Sequence, residues 1–360
     1  MKKNTTSPFT ILIICFRFLG DVLVTTPLAL SIKTAYPDAD IDYLVFKGTE
    51  KILDKNPLIR KVITINKDTS GIGTLLSLFR KYDIAFAAYP SDRTTLAAAI
   101  TGKYSIGLDN GEKKEWWKHF FLNKRVTCDS QQLHVVPNML ALAKAADIAP
   151  QPRLVMGFDS DDEEFVRKKL KTGSSPYVIL HPYSRGAYKC WSPEKWGSLA
   201  ELIQSRTNIR PIFTVTPDKA DLAFLAKISD ASRTEIMQFP EVFTLNQLAA
   251  AIRGGIAYIG VDTAASHIAA AVDTPTIVLF GPTWTKYWAP WPTGCLELSP
   301  FQPNKGVQRK GSVTVVQKDW ECVPCNRVCC TISNRGLIEC LEVITPEEVL
   351  AILQNILEQL

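Results

Sequence analysis

The chain has 360 residues, 46% hydrophobic and 21% charged, enough to fill two cores and unlike a disordered or low-complexity protein. Its formal net charge is +5 and no run reaches 18 apolar residues, so neither a strongly basic nucleic-acid binder nor a transmembrane helix is indicated. The charge is uneven: residues 1–150 hold 20 Lys+Arg against 14 Asp+Glu and the remainder 21 against 22, so the first half suits an anionic partner.

At the start, Lys2-Lys3 ahead of the apolar run Phe9–Phe16 imitates a signal peptide. Arg17 and Asp21 interrupt it and no small-residue cleavage site follows, so a buried first strand and a cytoplasmic protein are expected. Strands are then expected at Thr10–Phe16, Ile41–Phe46, Lys61–Ile65, Asp83–Ala87 and Tyr104–Gly107, with helices around Val22–Tyr36, Gly71–Lys81, Arg93–Ile100 and His134–Asp147. A second series places strands at Tyr177–His181, Arg210–Val215, Ile256–Gly260 and Thr276–Phe280. Helices in that series are expected at Pro193–Ser205, Asp218–Ser229, Leu245–Arg253 and Thr263–Val272. The alternation predicts an α/β chain of two Rossmann-like, doubly wound domains, residues 1–165 and 172–345. The polar stretch Phe158–Ser175 reads as the hinge, and a final helix, 346–360, as packing back on the first domain. No 20–50-residue repeat and no G-x-G-x-x-G fingerprint is present.

The stretch from Gly260 to Pro282 carries the sharpest local signal. It reads as strand, turn, helix, strand, turn, with Asp262 and Thr263 where the helix begins and small residues from Ala264 to Val272. A helix N-terminus at the carboxyl end of a parallel strand offers free N–H groups and a positive dipole end, which suits a diphosphate; any βαβ unit has the same outline. His267 lies four residues after Thr263, on the same helix face, and is either a ligand contact or a structural histidine. Asp21 follows the first strand and is placed to act as a general base or to cap the helix that follows. Ser184, Arg185 and Lys189 follow the strand Tyr177–His181 and offer a hydroxyl and two cations to a diphosphate leaving group, or form an ordinary basic loop. Asp218 follows another strand and reads as a ribose acceptor or an N-cap, while Trp191 and Trp196 read as core.

Lys113 to Arg125 interleaves cations with aromatics. Lys113, Lys114, Trp116, Trp117 and Lys118 suggest an amphipathic segment lying on an anionic membrane or on the acceptor; the alternative is rings packed into their own domain. Near the C-terminus, Cys322-x2-Cys325-x3-Cys329-Cys330-x9-Cys340 has partly ligand-like spacing. It lacks a second C-x2-C and any nearby histidine, so no metal is assigned and Cys322, Cys325, Cys329 and Cys340 stand only as candidates beside reduced packing thiols.

Four runs together resemble a known family: Phe18-Leu-Gly-Asp-Val-Leu-Val-Thr-Thr-Pro27, Tyr188-Lys-Cys-Trp191, Pro217-Asp-Lys219 and GVDTAASHIAAAVDTPTIVLFGPT from Gly260. They resemble glycosyltransferase family 9, the ADP-heptose:lipopolysaccharide heptosyltransferases, and with Tyr287-Trp-Ala-Pro-Trp291 are most like its heptosyltransferase III branch. The resemblance implies a GT-B fold, two domains facing a central cleft, the acceptor on the first and ADP-heptose on the second. It implies an inverting transfer to the phosphorylated inner core of lipopolysaccharide, without cofactor or metal, at the inner face of the inner membrane. By motif, Asp21 is similar to the base, Lys189 to the donor-phosphate cation and Ser184 to a phosphate contact. Asp262, Thr263 and His267 are similar to the donor motif, in which Ala264 stands where many members carry Gly, and Asp218 would meet the ribose. The alternatives are a heptosyltransferase acting on a protein acceptor with a cysteine-bound metal, or a sugar-nucleotide-binding protein without catalysis.

Overall fold

The computed structural model describes residues 8–129, 131–171, 173, 175–330 and 338–359. Lys2, Lys3 and the hinge residues Thr172 and Ser174 lie outside these. The chain divides into two compact units, Met1–Gly157 and Phe158–Leu360, each with its own sheet.

The first unit is wound on β1 (Thr10–Cys15), β2 (Asp40–Phe46), β3 (Lys61–Ile65), β4 (Tyr82–Ala87), β5 (Gly102–Asp109) and β6 (Lys124–Thr127). The order is β3-β2-β1-β4-β5-β6 and every pairing is parallel. Its helices are α1 (Leu19–Leu23), α2 (Thr26–Ala35), α3 (Ile72–Ser77), α4 (Asp92–Thr101) and α5 (Val135–Ala145). Residues Ile11 to Ile14 of β1 are wholly buried, as a central parallel strand requires. One helix is expected over Val22–Tyr36, but two form. Pro27 has no N–H to donate to the carbonyl of Leu23, and the Thr26 hydroxyl takes that carbonyl instead at 2.7 Å.

In the second unit the strands are β7 (Tyr177–His181), β8 (Arg210–Phe213), β9 (Met237–Gln238), β10 (Ala257–Val261), β11 (Thr276–Leu279), β12 (Gln308–Lys310) and β13 (Val313–Val316), ordered β12-β13-β11-β10-β7-β8-β9. Among the described residues only β12 runs antiparallel, against β13. The helices are α6 (Ser160–Leu170), α7 (Pro193–Arg206), α8 (Lys219–Ala231), α9 (Leu245–Gly254), α10 (Ala264–Ala271), α11 (Thr285–Trp288), α12 (Glu339–Glu342) and α13 (Pro346–Leu357).

Two expected boundaries are corrected. The charged helix α6 belongs to the second unit, where Phe165 packs edge-on against Phe243 at 5.3 Å, so the division falls at residue 157 rather than 165. The last helix, expected to pack back on the first domain, packs on α7 within the second unit. Its Val349, Leu350, Leu353 and Ile356 enter the same core as Trp191 and Trp196, because their spacing makes one apolar face that fits this groove. Trp191 and Trp196 are fully buried, as expected, and meet edge-on at 5.4 Å.

Candidate functional site

In the second unit the register sets Gly260 of β10 beside His181 of β7, so the turns leaving both strands are neighbours. A side chain on Gly260 would strike the Tyr258 hydroxyl at 2.3 Å, so glycine leaves that ring its place. The Tyr258 hydroxyl in turn lies 3.2 Å from Ser266 of α10, and Ser266 donates to the Val261 carbonyl at 2.6 Å. These bonds fix the helix start against the strand tip.

Asp262 is the centre of the arrangement. The Lys189 ammonium lies 2.7 Å from its Oδ2, and the Thr283 hydroxyl donates to the same oxygen at 2.8 Å. Ser184 donates to the Asp262 backbone carbonyl at 3.1 Å. Asp262 is buried, while Lys189 keeps 23% of its side chain exposed, so the cation stands at the mouth and the carboxylate beneath it. Thr263 holds the N-cap position of α10 without a side-chain cap bond, and Ala264 is the first helical residue. The helix start therefore keeps its positive dipole end beside Lys189. His267 is buried one turn on, and its Nδ1 has no hydrogen-bond partner among the described residues. Burial lowers its pKa to about 4, opposed by Asp262 and reinforced by Lys189, so it is neutral at physiological pH.

The loop that carries Lys189 is anchored from behind. The Trp191 indole donates to the Ile344 carbonyl at 3.2 Å, and the Ser192 N–H donates to Glu342 at 3.0 Å. Arg185 is exposed on the same loop. Asp218 is also exposed, and it accepts the Ala220 N–H at 2.8 Å, the N-cap role; among the described residues no bond joins it to the Lys189 group.

In the first unit, Asp21 sits in the first turn of α1 at the carboxyl edge of β1. It does not cap that helix as N-cap; its Oδ2 accepts the Phe18 N–H at 3.3 Å and its Oδ1 lies 3.6 Å from Arg17. Only 13% of its side chain is exposed, and burial raises its pKa, with Arg17 and the Phe18 N–H pulling it back. The Arg17 guanidinium lies over the Tyr89 ring at 4.5 Å. Arg93 donates to the carbonyls of Lys67 and Asn66 at 2.9 and 3.1 Å, tying down the segment between β3 and α3.

The segment expected to be amphipathic is a 3-10 stretch, Lys113–Phe120. Lys113, Lys114 and Trp116 are exposed and Trp117 is half-buried. Lys118 is a correction: it is wholly buried, drawn in by Glu115 and by Asp92 at 3.6 Å, and cannot face a membrane. Cys322, Cys325, Cys329, Cys330 and Cys340 line one cavity of about 200 Å³ with Trp320 and Ile338, and all are reduced. Among the described residues no three His, Cys, Asp or Glu side chains are grouped to hold an ion.

Reading residues alone missed Arg17, Arg93 and Thr283. Arg17 stands directly before Phe18 and Thr283 closes the run quoted from Gly260, so position along the chain could have found them.

The chain is 29% identical over 296 residues to lipopolysaccharide heptosyltransferase 3 of Escherichia coli K12, across 76% of this chain and 83% of that protein. Its fold is similar to that of a family 9 glycosyltransferase from Veillonella parvula, with a TM-score of 0.78 at 17% identity over 98% of both chains. It is also similar to E. coli ADP-heptose lps heptosyltransferase II, with a TM-score of 0.73 at 19% identity over 98% of this chain and 99% of that one. Residues 77–310 match the model of Glycosyltransferase family 9 (heptosyltransferase), and the chain therefore belongs to that family.

Proposed function

We propose that this glycosyltransferase moves heptose from ADP-heptose to the phosphorylated inner core of lipopolysaccharide, with inversion at the anomeric carbon. The carrying observation is the Lys189–Asp262–Thr283 group at the start of α10, a cation held by a buried carboxylate beside a positive helix end. It supports a diphosphate site: phosphate oxygens would meet Lys189, the first N–H groups of α10 and the Ser184 and Thr263 hydroxyls. Asp262 orients Lys189, and neutral His267 can donate a hydrogen bond without adding charge.

Asp21 is the base in this reading. The acceptor hydroxyl gives its proton to the carboxylate as its oxygen bonds to the anomeric carbon. The bond from that carbon to the phosphate oxygen breaks, and ADP leaves with the electron pair. Burial suits Asp21 to the task by making it a stronger base than an exposed aspartate. Arg185 and Asp218 take outer donor contacts. The acceptor is lipid-borne, so the enzyme works against the inner face of the inner membrane.

The test is a transfer assay with ADP-heptose and truncated core acceptors carrying zero, one or two heptoses. Transfer to one of these is expected, and Lys189→Ala should raise the donor KM and lower kcat together, by about 100-fold in kcat/KM, the scale of a lost charged contact. No transfer to any core acceptor, or wild-type kinetics in the variant, would overturn the assignment.

A further inference from the structure

The first unit exposes an apolar face that its own fold does not cover. α3 turns Leu75 into the core, yet Ile72, Leu76 and Phe79 are 49%, 60% and 60% exposed. Ile72 and Leu76 lie four residues apart on the outer side of α3, and Phe79 follows in the turn after it. The next residue, Arg80, opens a groove of about 260 Å³ walled by Ala99, Lys103, Phe120 and Phe121. Phe120, on the wall of that groove, is 69% exposed and meets exposed Trp116 edge-on at 5.7 Å. The first unit thus exposes five large apolar side chains, on α3 and the turn after it and on the Lys113–Phe120 segment, with a polar, cation-bearing groove near them, which marks an interaction face.

The charges say what the face meets. The neighbouring carboxylates are already engaged: Asp83 by Lys103, Asp109 by Arg125, Glu112 by Lys114, and Glu115 and Asp92 by Lys118. Arg80, Lys81, Lys113 and Lys124 form no ion pair with a carboxylate among the described residues, which leaves four such cations on the segments that carry these rings or adjoin them, with Arg80 on the groove wall itself. A second copy of the chain docking symmetrically would set those cations against their own equivalents. An anionic bilayer offers what each part needs, acyl chains for the apolar side chains and phosphates for the cations.

We propose that this face seats the enzyme on an anionic phospholipid bilayer, with Leu76, Phe79 and Phe120 entering the acyl boundary and the four cations on headgroup phosphates. The inference rests on the lipid-borne acceptor of the proposed function, and it moves the contact from the Lys113–Arg125 segment alone to a surface built jointly with α3.

The experiment is co-sedimentation of the full-length chain with vesicles of phosphatidylcholine alone and of phosphatidylcholine with phosphatidylglycerol. Binding is expected to the mixed vesicles only, and to weaken as salt rises. The double variant Leu76→Ser/Phe79→Ser should lose binding by about tenfold or more while its circular dichroism and its transfer to a soluble truncated acceptor stay unchanged. Arg80→Glu should lose it as well, without the apolar change. Equal binding to both vesicle types, wild-type binding by the double variant, or sedimentation velocity showing self-association through this face would overturn the proposal. Vesicle binding without any heptose transfer would count against the substrate reading and leave this face standing.

Discussion

Asp21 joins two properties that pull in opposite directions. Its carboxyl holds a proton more tightly in the folded chain than in the unfolded one, because burial outweighs Arg17 and the Phe18 N–H. The sign follows from linkage: the folded state binds more protons around the raised pKa, so stability from this group is present at low pH and is lost as pH rises through it. At neutral pH the ionised carboxylate is therefore a strain on the first unit. Asp21→Asn should abolish transfer while leaving the melting temperature at pH 7 equal or higher, and calorimetry at pH 7 with a parallel activity assay checks both. A lower melting temperature would make Asp21 a structural residue. The sequence left two roles open for Asp21, general base or helix cap, and the structure removes only the N-cap role, which Phe18 holds. The bond from Thr283 to Asp262 was not legible, since it joins residues 21 apart whose meeting depends on two parallel strands lying side by side.

Elements with a strong period were the readable ones, and those defined by partners were not. β3 and β7 fall on their expected residues because both are short apolar runs between turns. β6, with its pattern Lys-Arg-Val-Thr, shows mostly exposed residues and becomes a strand only because β5 offers an edge to pair with. β9 is two residues long and has no periodicity to read. α13 was read as a helix but expected on the first domain, whereas it belongs to the second unit: an apolar face announces that it will be buried, not where. Its Leu353 has no exposed surface and shares a core with Trp191 and Trp196. Leu353→Ala should lower stability by about 2–5 kcal/mol, read as a shift in the denaturant midpoint. Because Trp191 donates to Ile344 directly before this helix, the variant should also raise the donor KM, whereas intact donor kinetics would show that the Lys189 loop does not depend on α13.

The whole molecule divides as the sequence suggested, into two doubly wound α/β units, with the boundary misplaced by one helix. The error came from reading a polar, charged stretch as a hinge; α6 is polar because one face only is buried, and Phe165 on that face was too little signal. Two separate cores lead us to expect calorimetric unfolding in more than one step. ADP at about 100 times its dissociation constant should stabilise the second unit by about 2.7 kcal/mol and raise its transition selectively. A uniform shift of the entire profile would indicate that the units melt as one.

The boundary at Gly157–Phe158 has a consequence for descent as well as for folding. Each sheet is made by one uninterrupted stretch of chain, so a genetic crossover at this point transfers a sheet whole and cuts no strand register. In the proposed function, the half assigned to the acceptor and the half assigned to the nucleotide can then be inherited separately. A lineage built this way could acquire new acceptors by exchanging residues 1–157 while its donor half stayed under unchanged selection.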